Sequence, residues 1–228
     1  MGKRRQDEDF IEEVVATDEY KTDKSTDWFE KNKGLIMGVI GLAVLLTAAL
    51  IVFKFFIKAP KEKAAKAAIY QAEMRFAQDS FALALDNPGL EAEGFLDIID
   101  NYGGTKTANL AKLYAGISYL NLGRFEDAIS YLNSHSGAGS YSPILKFGNL
   151  GDAHSELGEF DKAINMYKKA TSTSEDALLT PYYLYKLGLL ARKQGNNSVA
   201  LNAFNSIKSK YPTSNEAETI DLMIRSVS

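Results

Sequence analysis

From Gly34 to Phe53 the chain reads GLIMGVIGLAVLLTAALIVF, a run of twenty residues without a charge. At about 1.5 Å of rise per residue a helix of that length covers the hydrocarbon core of a bilayer. The pattern predicts one transmembrane helix over 34–57. A cleaved leader would end in small residues, whereas this run exits into Lys54, Phe55, Phe56, Ile57 and Lys58. Just ahead, Asp27 and Glu30 stand as a helix N-cap and its partner three residues on, and Trp28 suits the headgroup boundary. Gly34 and Gly38 have the spacing that lets two membrane helices approach closely, a loose motif when it occurs once. Trp28, Gly34, Gly38 and Phe53 are therefore the expected anchor residues, in contact with membrane lipid.

After the run, apolar positions recur at the helical period. Residues 58–74 are rich in lysine and alanine and form a linker or an extension of the helix. From there to the end, 75–228, small residues repeat in three registers. Glycines stand at Gly89, Gly123, Gly158 and Gly195, spaced by 34, 35 and 37. Five residues after each comes Gly94, Ala128, Ala163 or Ala200, and seven before each comes Ala82, Gly116, Gly151 or Gly188. Two helices that cross need a small residue at the crossing for their backbones to close, and the glycine between them permits the reversal. Units are expected near 75–108, 109–143, 144–180 and 181–212. A last amphipathic segment, 213–228, carries Ala217, Ile220, Leu222, Met223 and Ile224, able to cover the end of the stack.

These residues resemble the tetratricopeptide repeat. Phe147, Leu150, Gly151, Gly158, Ala163, Tyr167 and Ala170 follow its pattern, and His154 departs from it at an aromatic position. The second unit keeps Gly116, Tyr119, Gly123 and Ala128 but has His135 where alanine is usual, so its second helix is expected to end early. The fourth keeps Leu187, Gly188, Gly195, Ala200, Phe204 and Pro212. The first keeps little beyond the small positions and reads as an atypical cap. The fold class that follows is all-α: one N-terminal transmembrane helix, then a tetratricopeptide-like α-solenoid of about four helix pairs with a C-terminal capping helix.

Composition narrows the function. With 26 Lys and Arg against 29 Asp and Glu, the net charge is −3, and no basic field exists to hold nucleic acid. Cysteine is absent, which removes disulfides, thiolate nucleophiles and cysteine metal sites. The leading tail, 1–33, is acidic and expected to be mobile, although Phe10, Ile11, Val14 and Val15 could line a short amphipathic helix. No phosphate-binding loop, metal-binding His pair or nucleophile elbow occurs. His135 and His154 are the two histidines, and no ligand cluster accompanies either. The reading is of a protein that is not an enzyme, with no catalytic or metal residues, no cofactor and no small-molecule substrate.

A stack of helix pairs offers a concave surface lined by the first helix of each pair. In the tetratricopeptide register that surface should display Leu110, Leu113, Ile117 and Asn121, then Asn149, Asp152 and Glu156, then Tyr182, Tyr185, Leu189 and Arg192. Aromatic and apolar groups among them are what protein partners exploit, although packing between repeats is an equal use for each residue. A cluster of lysines that would grip a free carboxylate is not expected there.

Over its whole length the chain resembles the YfgM-like ancillary subunits of the SecYEG translocon. The likeness lies in the acidic tail, the lead-in segment from Asp27 to Gly34, one membrane helix, a Lys/Ala-rich exit and degenerate repeats. It implies a bacterial inner-membrane protein that spans once, with its amino terminus cytoplasmic and its repeats periplasmic. It also implies two partners, SecYEG and a membrane-anchored periplasmic chaperone of the prolyl-isomerase type. Lysines flank the run almost equally, Lys21, Lys24, Lys31 and Lys33 on one side and Lys54, Lys58, Lys61, Lys63 and Lys66 on the other, so charge alone leaves the orientation open. Lys3, Arg4 and Arg5 at the start lean the same way as the resemblance. The other function compatible with these features is a scaffold subunit of a different envelope complex, such as secretion or motility machinery.

Overall fold

The computed structural model describes residues 28–87, 89, 91–137 and 139–227. The expected mobile tail and its amphipathic stretch at Phe10 to Val15 lie almost wholly outside them. Among the described residues every regular element is helical, and the chain divides into two compact units, Met1–Ala59 and Pro60–Ser228.

In the first unit, α1 covers residues 28–52 and passes into a π-helical turn, Phe53–Lys58. It is already helical at Trp28, six residues ahead of the uncharged run, and the expected cap Asp27 lies outside the described residues. The apolar side chains of α1 are exposed, and the helix is long and apolar enough to cross a membrane. A Cβ built on Gly34, Gly38 or Gly41 would meet nothing within 4 Å. The π turn sits just before Pro60, which has no N–H to return to the chain and whose ring crowds the carbonyl one turn back.

The second unit begins before the expected first repeat. Helices α2 (Ala59–Ala68) and α3 (Tyr70–Ala77) are part of its core and not a linker, because Ala65, Ile69 and Ala72 are buried. Glu62 holds α2 in place: its carboxylate accepts from the Lys106 backbone amide at 2.6 Å and from the Thr107 hydroxyl at 2.9 Å. Burial alone would raise the Glu62 pKa, but these hydrogen bonds outweigh it and the net shift is downward.

Two short helices follow, α4 (Phe81–Asp86) and α5 (Phe95–Asn101). Ala82, expected at a helix crossing, is exposed instead; Ala84 and Leu85 make the contact. An aromatic group closes this end, with Phe76 5.4 Å from Phe81 and 4.9 Å from Tyr114, and Phe95 stacked on Tyr114 at 5.1 Å.

Three helix hairpins make up the rest: α6 (Lys106–Asn121) with α7 (Phe125–Ser134), α8 (Ser142–Glu156) with α9 (Phe160–Thr173), and α10 (Leu179–Lys193) with α11 (Asn197–Lys210). Gly123, Gly158 and Gly195 reverse the chain in these hairpins, each at φ +73°, a conformation other residues rarely adopt. Helix α7 stops at Ser134, four residues shorter than α9 or α11. The reason is His135, which is buried and turns its ring back: its Nδ1 lies 2.7 Å from the Asn109 carbonyl and its Nε2 pairs with the Ser142 hydroxyl. The end of the stack is covered by a 3₁₀ turn, Asn215–Thr219, and α12 (Ile220–Arg225). Ile220 and Val227 are buried there, with Ala217, Met223 and Ile224 packed against the core, but Leu222 is exposed, since so short a helix presents only one face.

The small residues host side chains. A Cβ on Gly151 would lie 2.5 Å from the Tyr167 ring, one on Gly188 2.2 Å from the Phe204 ring, and one on Gly116 2.6 Å from the Leu132 side chain. At these crossings a ring or a leucine from the second helix fills the place of the missing side chain.

Candidate interaction groove

Along α10, Tyr182, Lys186, Leu189 and Lys193 are spaced by four, three and four residues, which sets them on one stripe of the helix. On α8 the same spacing joins Leu145, Asn149, Asp152 and Glu156. A hollow of about 670 Å³ lies across the ends of α6, α8 and α10, lined among others by Leu120 and Asn121, by Asp152, Ser155 and Glu156, and by Lys186, Leu189 and Lys193. Phe125 and Tyr167 close it from the second helices.

Of the expected surface, Asn121, Asp152, Glu156 and Leu189 come together in this hollow. Tyr182 is exposed beside it, with the Lys186 ammonium 4.7 Å from its ring centre. The other expected residues have different places. Leu113 is buried, in a cluster with Leu132 and Leu150, because a helix turns by about 100° per residue and one position of misphasing carries a groove residue into the core. Ile117 packs against that same cluster. Asn149 is buried and donates to the Leu145 carbonyl at 2.7 Å. Tyr185 lies against Phe204. Arg192 reaches away to the cap, donating to the Ser226 hydroxyl at 2.9 Å. Leu110 lines a separate hollow.

Two lysines that the expected surface did not include, Lys186 and Lys193, also line the hollow. Lys186 binds Asp152 through both carboxylate oxygens, at 2.8 and 2.9 Å. The Tyr167 hydroxyl donates to the same carboxylate at 2.6 Å. Asp152 thus ties α8 to its own partner α9 and to the first helix of the next repeat. Burial alone would lower the Lys186 pKa, but the Asp152 charge and hydrogen bond overcome it and the net shift is upward. Burial, reinforced by the Asp152 charge, pushes the phenols of Tyr167 and Tyr183 far up, so neither ionises at neutral pH, and the Tyr183 oxygen accepts from Asn149 at 3.5 Å. Gly148 makes the arrangement possible, since a Cβ there would sit 2.0 Å from the Tyr183 ring. That contact between repeats was hidden in the sequence, where Gly148 belongs to none of the recurring registers.

His154 keeps a packing role: its Nδ1 lies 2.6 Å from Glu159 at the turn into α9. Among the described residues no group of three or more His, Cys, Asp or Glu side chains is placed to hold a metal ion.

Residues 147–176, covering most of α8 and all of α9, match a tetratricopeptide repeat, and residues 182–214, covering α10 and α11, match another. No curated protein and no solved structure matches the chain. Repeats of this kind are typically interaction scaffolds without catalysis of their own. Gly151, Ala163 and Tyr167 lie in one matched segment and Gly188, Ala200 and Phe204 in the other, so the α8–α9 and α10–α11 hairpins are tetratricopeptide-like repeats.

Proposed function

We propose that the protein is a membrane-anchored accessory of the Sec translocation channel, in which the repeat body binds a periplasmic chaperone or an emerging polypeptide in the groove across α6, α8 and α10. The observation that carries the binding role is the hollow itself. It is open, it spans three successive repeats, and it mixes apolar Leu120 and Leu189 with Asn121, Glu156 and Lys193, groups that can meet an extended chain. The anchoring role rests on α1, whose apolar side chains from Leu35 onward are exposed, apart from the partly covered Ile36, and need lipid around them. Confinement to a membrane raises the encounter rate with a membrane partner without any new contact. The link to the channel rests on the resemblance in tail, anchor, exit and repeats.

Affinity capture of the intact protein from a gentle detergent tests it. SecYEG and a prolyl-isomerase-type chaperone should be recovered, and a Glu156→Lys, Leu189→Asp double variant should lose the chaperone while keeping its melting temperature. Recovery of a different envelope assembly would replace the Sec assignment with the scaffold reading. Protease access to the repeats from the outer side of spheroplasts tests the orientation.

A further inference from the structure

A second hollow, of about 680 Å³, shares no lining residue with the groove. It lies where the α5–α6 and α7–α8 connections meet, over the amino-terminal half of α6. Its character differs from that of the groove. Lys106 and Lys112 line it, with the His135 ring and the Ser142 hydroxyl, and no Asp or Glu does, although acidic residues outnumber basic ones in the chain. Neither lysine ammonium has a hydrogen-bond or ion-pair partner among the described residues. Ile99 and Leu110 supply an apolar wall.

The lysines around the hollow come from two of the elements that frame it, while α5, which supplies Ile99, carries Asp97 and Asp100. Lys106 and Lys112 stand on α6, and Lys146 on α8 donates to the carbonyls of Asn133 and His135. Burial, together with the charges of Lys146 and Lys112, holds the His135 imidazole below its ordinary pKa, against the pull of its hydrogen bond to Asn109. The Glu62 carboxylate at the start of α6 is already engaged by Lys106 N–H and Thr107.

We propose that this hollow binds an acidic segment of a partner protein, with glutamate or aspartate side chains against Lys106 and Lys112 and an apolar neighbour against Ile99 and Leu110. Charge complementarity selects the acidic residue, and the apolar wall selects a peptide over a small free anion. The volume fits a few residues of chain. The site is independent of the groove, so an unaltered groove interaction bears neither for nor against it.

The test uses the full chain in a zwitterionic detergent. A short peptide of alternating glutamate and leucine, blocked at both ends, is titrated beside its glutamine counterpart and inorganic phosphate. The glutamate peptide should bind, weaken with added salt, and bind about tenfold more weakly to a Lys106→Gln, Lys112→Gln variant of unchanged melting temperature. In a His154→Gln background the single remaining imidazole, His135, should titrate at higher pH when the glutamate peptide is present, because its charge offsets the lysine field. Equal binding of the glutamine peptide, equal binding to the lysine variant, phosphate competing as well as the peptide, or a His135 titration that does not move would each overturn the proposal.

Discussion

The first helix pair of the body and the three that follow use glycine for different ends. At Gly94 the approach is backbone to backbone: a Cβ there would lie 2.3 Å from the Leu85 carbonyl oxygen and 2.6 Å from its carbon. At Gly116, Gly151 and Gly188 the glycine is covered by a side chain, and the hairpins of Gly151 and Gly188 are the two that match a tetratricopeptide repeat. A small residue therefore marks closeness, but what comes close depends on whether the second helix carries a large side chain at the facing position. Helix α5 is too short to do so and closes its end with aromatic packing instead.

Substitution by alanine separates the two uses. Gly94→Ala should be the most damaging, at about 3 kcal/mol, since a carbonyl fixed in helix α4 cannot turn away. Gly188→Ala should cost less, about 2 kcal/mol, and Phe204→Leu in that background should recover part of the loss by freeing space for the methyl group. Urea unfolding of both variants decides the point. Equal costs, or no recovery, would erase the distinction between backbone and side-chain contact.

Gly158→Ala comes next, at about 1 kcal/mol. Nothing lies within 4 Å of its Cβ position, so the cost comes from the φ of +73° alone. Asn at this position should restore most of the loss, because asparagine tolerates the left-handed region.

The smallest effect concerns the one hairpin cut short. His135 ends α7, and its pKa is lowered in the folded state by burial first. The unfolded chain then binds more protons below an ordinary histidine pKa of about 6.5, so stability is complete above that pH and falls as the solution is acidified towards the folded value. Melting temperatures from pH 7.5 to 5 should fall more steeply for the wild type than for His135→Gln. Parallel curves would show that the buried ring is not the proton-linked group.

Much of this was legible in the chain. The uncharged run from Gly34 announced a helix long and apolar enough to cross a membrane, and the exit at Lys54 and Lys58 spoke against a cleaved leader. Gly123, Gly158 and Gly195 announced three reversals, and each adopts the left-handed backbone that a tight turn demands. His135 announced the early end of α7. The groove was half legible. Asn121, Asp152, Glu156 and Leu189 converge, while Leu113 faces inward, Tyr185 and Arg192 belong to the next layer, and Lys186 and Lys193 were overlooked. A slip of one residue on a helix suffices for such errors, and the tetratricopeptide register places helices more surely than side chains.

By itself the sequence determined which segments are helices, where the hairpins reverse and that one apolar span stands apart, since spacing, glycine and charge act locally and leave a periodic trace. Only the tertiary structure decided that Gly148 makes room for Tyr183, that Asp152 joins three helices through Tyr167 and Lys186, and that Glu62 caps a helix more than forty residues away. Those contacts connect residues far apart in the chain, and their partners are chosen by packing, which leaves no period to read.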